Sequence, residues 1–150
     1  MPRPSAAEPA GTEPTGPLPR WVLHDHRVPR PHRDLRLEQN GVLVSWAVPR
    51  GLPTDTTGNR LAVHVPDHGM DHLGYTDTDK SIEDTGHYLA HEWATRKRVV
   101  TLSGRTGVVT YALVATRGED WLLHRLRDSD GRHVAAVALL AELDVHDAEG

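Results

Sequence analysis

The sequence predicts an all-β domain, a sandwich or barrel of antiparallel strands, on three observations. Apolar residues recur at alternate positions in short runs, the runs are separated by Gly, Pro, Asn and Asp, and two of them are joined by Asn40-Gly41. Alternation with period two belongs to strands, because successive side chains leave a strand on opposite faces. Asn-Gly between two such runs is a strong hairpin signal, since both residues tolerate the positive φ of a type I′ turn. Short strands at regular spacing, punctuated by turn residues, form sandwiches and barrels.

The tail comes first. Residues 1–19 are rich in Pro, Ala and Gly without aliphatic periodicity, and are expected to be disordered ahead of a domain over 20–145, with 146–150 a second short tail. Trp21-Val22-Leu23 opens the first strand. Over 32–38 the chain alternates: His32, Asp34, Arg36 and Glu38 fall on one parity, Leu35 and Leu37 on the other. One face of that strand therefore carries a polar row while the other presses two leucines into the core. Pro29 and Pro31 keep the segment before it out of helix and central strand.

Beyond the Asn40-Gly41 turn the returning strand is 42–48, ended by Pro49, Gly51 and Pro53. Residues 54–59 are polar loop, and 60–65 read as a strand with Leu61, Val63 and Val65 on one face. Residues 66–84 are polar and unpatterned and read as loop with room for one short strand. Four more strands are expected at 87–93, 99–102, 108–114 and 121–126, the turns lying at 103–107 and 117–120. Residues 133–143, rich in Ala, Val and Leu, fit either a short C-terminal helix or a docked tail.

Composition narrows the function. Phe is absent, so the core rests on Val, Leu, Ala and the four tryptophans, of which Trp46, Trp93 and Trp121 sit in apolar runs. Net charge is −4, so any polyanion site has to be a local patch rather than a property of the whole chain. There is no cysteine, hence no disulfide and no thiolate ligand. No secretory leader or long apolar run is present, and a soluble cytoplasmic protein is expected. P-loop, GxSxG, HExxH and GxGxxG motifs are missing, which argues against the nucleotide hydrolases, serine esterases, zincins and NAD enzymes that carry them.

The chemistry-bearing residues gather early. His26, His32 and Asp34 offer two nitrogen ligands and one oxygen, a mixture suited to zinc, manganese or iron rather than calcium. Three ligands leave coordination positions open for water and substrate. The same residues also read as solvent-facing polar groups of an edge strand. Arg36 shares their parity and can either hold an anionic oxygen bidentately or pair with Glu38 or another acid. Arg50 and Arg60 stand at strand ends, where a side chain reaches a site mouth or simply faces water. His68 follows Asp67 near the start of the 66–84 stretch and could polarise a phosphate oxygen or face solvent.

Three stretches carry a family resemblance: HRVPRPHRDLRLEQNGVLVSWAVPRGLP, NRLAVHVPDH and VVTLSGRTGVVTYALVATRGEDWLLHR. Together they resemble the 3′-phosphoesterase module of bacterial ATP-dependent DNA ligase D, over residues 21–127. The resemblance implies a single antiparallel β-barrel that binds Mn2+, with Zn2+ or another divalent transition metal as the alternative. It implies removal of 3′-terminal ribonucleotides and 3′-phosphates in non-homologous end joining. The implied partners are DNA or RNA–DNA 3′ ends and, beyond them, an end-joining ligase, a polymerase or Ku-type proteins, with no membrane and a nucleoid-associated location. Carried over by position, His26, His32 and Asp34 match the metal ligands, and Arg36 and His68 match contacts to the scissile phosphate. Arg50 and Arg60 match cations of the same site. Pro66 replaces a glutamate, His72 replaces a tyrosine and could still donate to a phosphate oxygen in its place, and a Gly-rich stretch has no equivalent in 76–83. Those departures keep a rival open, a catalytically weak or inactive module that binds nucleic-acid ends. A hydrolase of small phosphoesters is a third reading.

Overall fold

Asn40 and Gly41 adopt φ of 52° and 85°, the paired positive values of a type I′ turn, and Gln39 pairs directly with Val42 across it. In the computed structural model, which describes residues 18–127, this hairpin is part of a closed barrel of eight antiparallel strands. The strands are β1 (Arg20–His26), β2 (His32–Gln39), β3 (Val42–Val48), β4 (Asn59–Gly69), β5 (Lys80–Ala94), β6 (Lys97–Ser103), β7 (Val108–Arg117) and β8 (Asp120–Arg125). Around the barrel they run β1-β2-β3-β4-β8-β7-β6-β5, and β5 closes on β1.

Alternation decides what fills the barrel. Leu35 and Leu37 point inward with Trp21, Leu23, Trp46 and Trp121, all buried in one apolar cluster, and Trp93 packs against it part-buried. Closure requires strands to approach closely, and Gly86 permits this on β5: a Cβ there would lie 1.8 Å from the carbonyl oxygen of Ser103 on β6. The same oxygen accepts a hydrogen bond of 3.0 Å from Trp21 Nε1. A side chain at 86 would displace both.

The structure departs from the sequence reading in three places. On β4 the inward residue is Ala62, fully buried, while Leu61 is 45% exposed. Trp46 and Trp121 pack 5.4 Å apart inside the barrel, so only a small side chain fits beside them on β4. Residues 66–84 are mostly ordered secondary structure: β4 continues to Gly69, a 3₁₀ helix spans Met70–Gly74, and β5 begins at Lys80. These pieces look unpatterned because they line a polar face instead of the core. Leu18 is buried against Leu89 and Val108, so the packed chain is entered ahead of residue 20. The segment 133–143 and the short C-terminal tail lie outside the described residues.

Candidate active site

Strand pairing assembles the polar face. Directly opposed residues of antiparallel strands share a face, and the register sets His24 against Asp34, His26 against His32, and Arg36 between Val22 and Ser45. Leu43 on β3 opposes His68, which brings His68 to the same side. On the other flank His26 opposes Lys80 of β5. This face is the reverse of the one that carries Leu35 and Trp46. Because β2 lies between β1 and β3, it is no edge strand: Asp34 is 5% and Arg36 2% exposed.

His26, His32 and Asp34 present ligand atoms within 4.8 Å of one another. Nδ1 of His32 donates to the Arg30 carbonyl at 2.7 Å, and its Nε2 faces Asp34 Oδ1 at 3.1 Å. His26 Nδ1 lies 3.0 Å from the other carboxylate oxygen. The donor set, two imidazoles and one carboxylate with one ring already oriented by a carbonyl, therefore fits a divalent transition metal.

Arg36 is the centre of the face. Its Nη1 donates to Ser45 Oγ at 2.9 Å and to His68 Nδ1 at 3.0 Å, its Nη2 to Asp34 Oδ2 at 3.2 Å, and its Nε reaches His24 Nδ1 at 3.5 Å. Of the two readings open from the sequence, the structure shows the pairing with an acid, Asp34, and four of the five guanidinium N–H groups have partners within the protein. Arg36 orients Asp34 and His68. Since a guanidinium only donates, His68 Nδ1 must accept, and the ring proton sits on Nε2. His24 donates Nε2–H to the Tyr75 carbonyl at 2.9 Å and keeps Nδ1 as acceptor.

The 3₁₀ helix brings His72 over this face, where it stacks on Tyr75 with ring centroids 4.6 Å apart and lies 4.7 Å from His68. Its Nε2 accepts from Lys80 Nζ at 3.0 Å. Burial, then the charges of Arg36 and Lys80, hold the His72 pKa down at about 4, so the ring is neutral and free to accept. Burial also lowers His24 and His68, with Arg36 and Lys80 pushing the same way. Lys80 is lowered by its own burial and by Arg36. His24, His68 and His72 are thus pushed toward the neutral form beside two cations.

Two cations named from the sequence make no hydrogen bond or ion pair with this cluster among the described residues. Arg60 Nη1 donates to the carbonyls of Arg50 and Gly51 at 2.6 and 3.2 Å, bracing the loop after β3. Arg50 is exposed, and its guanidinium makes no hydrogen bond or ion pair among the described residues. Glu38 is taken by the backbone N–H of Arg20 rather than by Arg36. Lys80, Ser45 and the Tyr75 carbonyl were not singled out from the sequence. Ser45 lies in the SWAVP stretch, which gave a signal without a role; Lys80 gave none, since its place depends on the β1–β5 register.

Comparison with known proteins identifies the family. The profile described as the DNA ligase D 3′-phosphoesterase domain matches residues 24–115. The multifunctional non-homologous end joining protein LigD of Mycolicibacterium smegmatis is 37% identical over 134 residues, covering 76% of this chain and 18% of that protein. Its namesake in Mycobacterium bovis is 36% identical over 142 residues, covering 86% of this chain and 19% of its own length. The corresponding protein of Pseudomonas aeruginosa is 46% identical over 87 residues, 55% of this chain and 10% of its own. The chain therefore spans less than a fifth of the length of each of these relatives.

Proposed function

Because the chain belongs to the DNA ligase D 3′-phosphoesterase family, we propose that it is a metal-dependent phosphoesterase that trims 3′ ends in DNA break repair by end joining. Its substrates on this reading are DNA or RNA–DNA strands ending in a 3′-phosphate or a 3′-ribonucleotide. The observation that supports it most is the clustering of His26, His32 and Asp34 within 4.8 Å, on the face where Arg36 orients His68. Mn2+ is the proposed ion, with Zn2+ or another divalent transition metal as the alternative. His26, His32 and Asp34 would hold the ion, which when bound would polarise a phosphoryl oxygen and lower the pKa of a bound water.

The chain's own groups do the rest. Asp34 is fixed by Arg36 on one oxygen, so its carboxylate holds one orientation. His68 Nε2–H is the donor aimed at a phosphate oxygen, preset by the Arg36 bond to its other nitrogen. Water attacks phosphorus, the bond to the departing oxygen breaks, and a proton reaches that oxygen. Arg50 and Arg60 do not join this cluster; on this reading they meet the nucleic-acid strand beyond the reacting phosphate.

The test uses a 5′-labelled primer–template ending in a 3′-ribonucleotide or a 3′-phosphate, with Mn2+, and a His32→Ala variant beside the wild type. The expected result is shortening or dephosphorylation that requires both the ion and His32. Binding of the same ends without product would replace the enzyme by an end-binding module.

A further inference from the structure

Lys80 is a buried cation without a matching anion. It is 8% exposed, and among the described residues no carboxylate lies within ion-pair distance of its Nζ. Asp34 and Asp77 act on it only from farther away. Buried lysines are ordinarily paired, because an uncompensated charge out of water is costly. Of its three N–H donors one goes to His72 Nε2 at 3.0 Å, and the ammonium stands 5.7 Å from the centre of the Tyr75 ring. Two donors are left unassigned. Arg36, the other buried cation of the face, is balanced by Asp34 at 3.2 Å. Lys80 is thus the surplus charge of the face.

Its position gives that surplus a use. Lys80 opposes His26 across the β1–β5 pair, and His26 opposes His32 across β1–β2, so the three side chains form one row over the strands. The ammonium stands one strand from a proposed metal ligand and touches His72, whose ring packs against His68.

We propose that Lys80 binds the substrate phosphate and sets a preference for a terminal phosphomonoester over a phosphodiester. The proposal rests on the phosphoesterase reading above. A phosphomonoester carries close to two negative charges at neutral pH, and a diester carries one. A fixed ammonium at close range therefore favours the monoester, the more so where water is excluded.

The experiment compares the wild-type chain with Lys80→Gln, which keeps an N–H donor for His72 and removes the charge, and with Lys80→Arg, which restores it. Catalytic efficiency is measured on 3′-phosphate and 3′-ribonucleotide ends, together with the inhibition constant of inorganic phosphate. Lys80→Gln is expected to lose about tenfold or more on the 3′-phosphate end relative to the diester, and to weaken phosphate inhibition similarly. Lys80→Arg is expected to recover most of both. Equal losses on the two ends with unchanged phosphate inhibition would overturn the proposal. Should the variants not fold, the Lys80 side-chain NMR resonances of the wild type loaded with diamagnetic Zn2+ decide it: inorganic phosphate either shifts them or leaves them unmoved, and the latter refutes the proposal. If the wild type turns over neither end, the phosphoesterase reading fails, while phosphate binding to wild type and Lys80→Gln still judges Lys80.

Discussion

Strand β2 has two buried faces built on opposite principles. Leu35 and Leu37 enter a core where any apolar side chain of the right volume serves, because hydrophobic burial has no direction. Asp34 and Arg36, equally sheltered, lie in a network where four of the five guanidinium donors have named acceptors. The first face holds the barrel together. The second is stable only while its members remain matched, since one removed partner leaves a charge or a donor stranded out of water. Burial alone therefore does not distinguish scaffold from site in this protein; the tolerance of each face to substitution does.

The largest effect is expected where that contrast is drawn by neighbouring residues. Leu35→Ala should cost about 2–5 kcal/mol by opening a cavity, and Arg36→Met about 3–5 kcal/mol by removing the guanidinium that balances the buried Asp34 carboxylate, both read from urea denaturation. The variants should separate in turnover of the folded fraction. Leu35→Ala should stay within a few-fold of wild type, whereas Arg36→Met should fall about a hundredfold or more as His68 and Asp34 lose their anchor. Comparable turnover losses would erase the distinction between the two faces.

The legibility of the two faces in the sequence differs for the same reason. The core face announces itself through period-two alternation, and Asn40-Gly41 fixes the β2–β3 register, so the strands and the barrel class could be read from local pattern. The spacing of His26, His32 and Asp34 also follows from one strand and the loop before it. The rest of the polar face depends on pairings distant in sequence. No local rule sets Lys80 opposite His26, and the β3–β4 pairing that delivers His68 crosses a register shift between Leu43 and Ser45. Only the family resemblance decides between the two local readings of His68 and points to His72 at all. The 66–84 stretch reads as loop with room for one short strand because a strand lining a polar site lacks the apolar alternation that betrays a core strand. Leu61 misled for the converse reason, an apolar residue on the outer side of a barrel whose interior the tryptophans already fill.

A smaller effect sharpens the comparison within the polar face. Ser45 Oγ accepts from Arg36 and donates to the Leu43 carbonyl at 3.1 Å. Ser45→Ala keeps the shape of the site and strands one guanidinium donor, which should cost about 1.5–3 kcal/mol, the range for hydrogen bonds to charged groups. A surface serine would cost within about 0.5 kcal/mol. A value that small would mean that Arg36 is held by its other partners alone, and the network would be more redundant than its geometry implies.

The smallest effect is one of pH, and its sign follows from His72. The folded protein holds this ring at about 4 against an ordinary value of 6.5. Between those values the unfolded chain binds the proton that the folded chain resists, so stability rises with pH across the window and the cost is absent above it. His24 and His68 are lowered as well and add slope of the same sign. His72→Phe should therefore flatten part of the decline in urea midpoint from pH 6.5 to 4 without abolishing it. The change should be modest, because His72 is only partly buried and solvent screens the charges acting on it. An unchanged slope would show that His72 is protonated freely in the folded state, where it could no longer accept from Lys80. The polar face would then be held by Arg36 alone, and the 3₁₀ helix would be a cover over the site instead of a part of it.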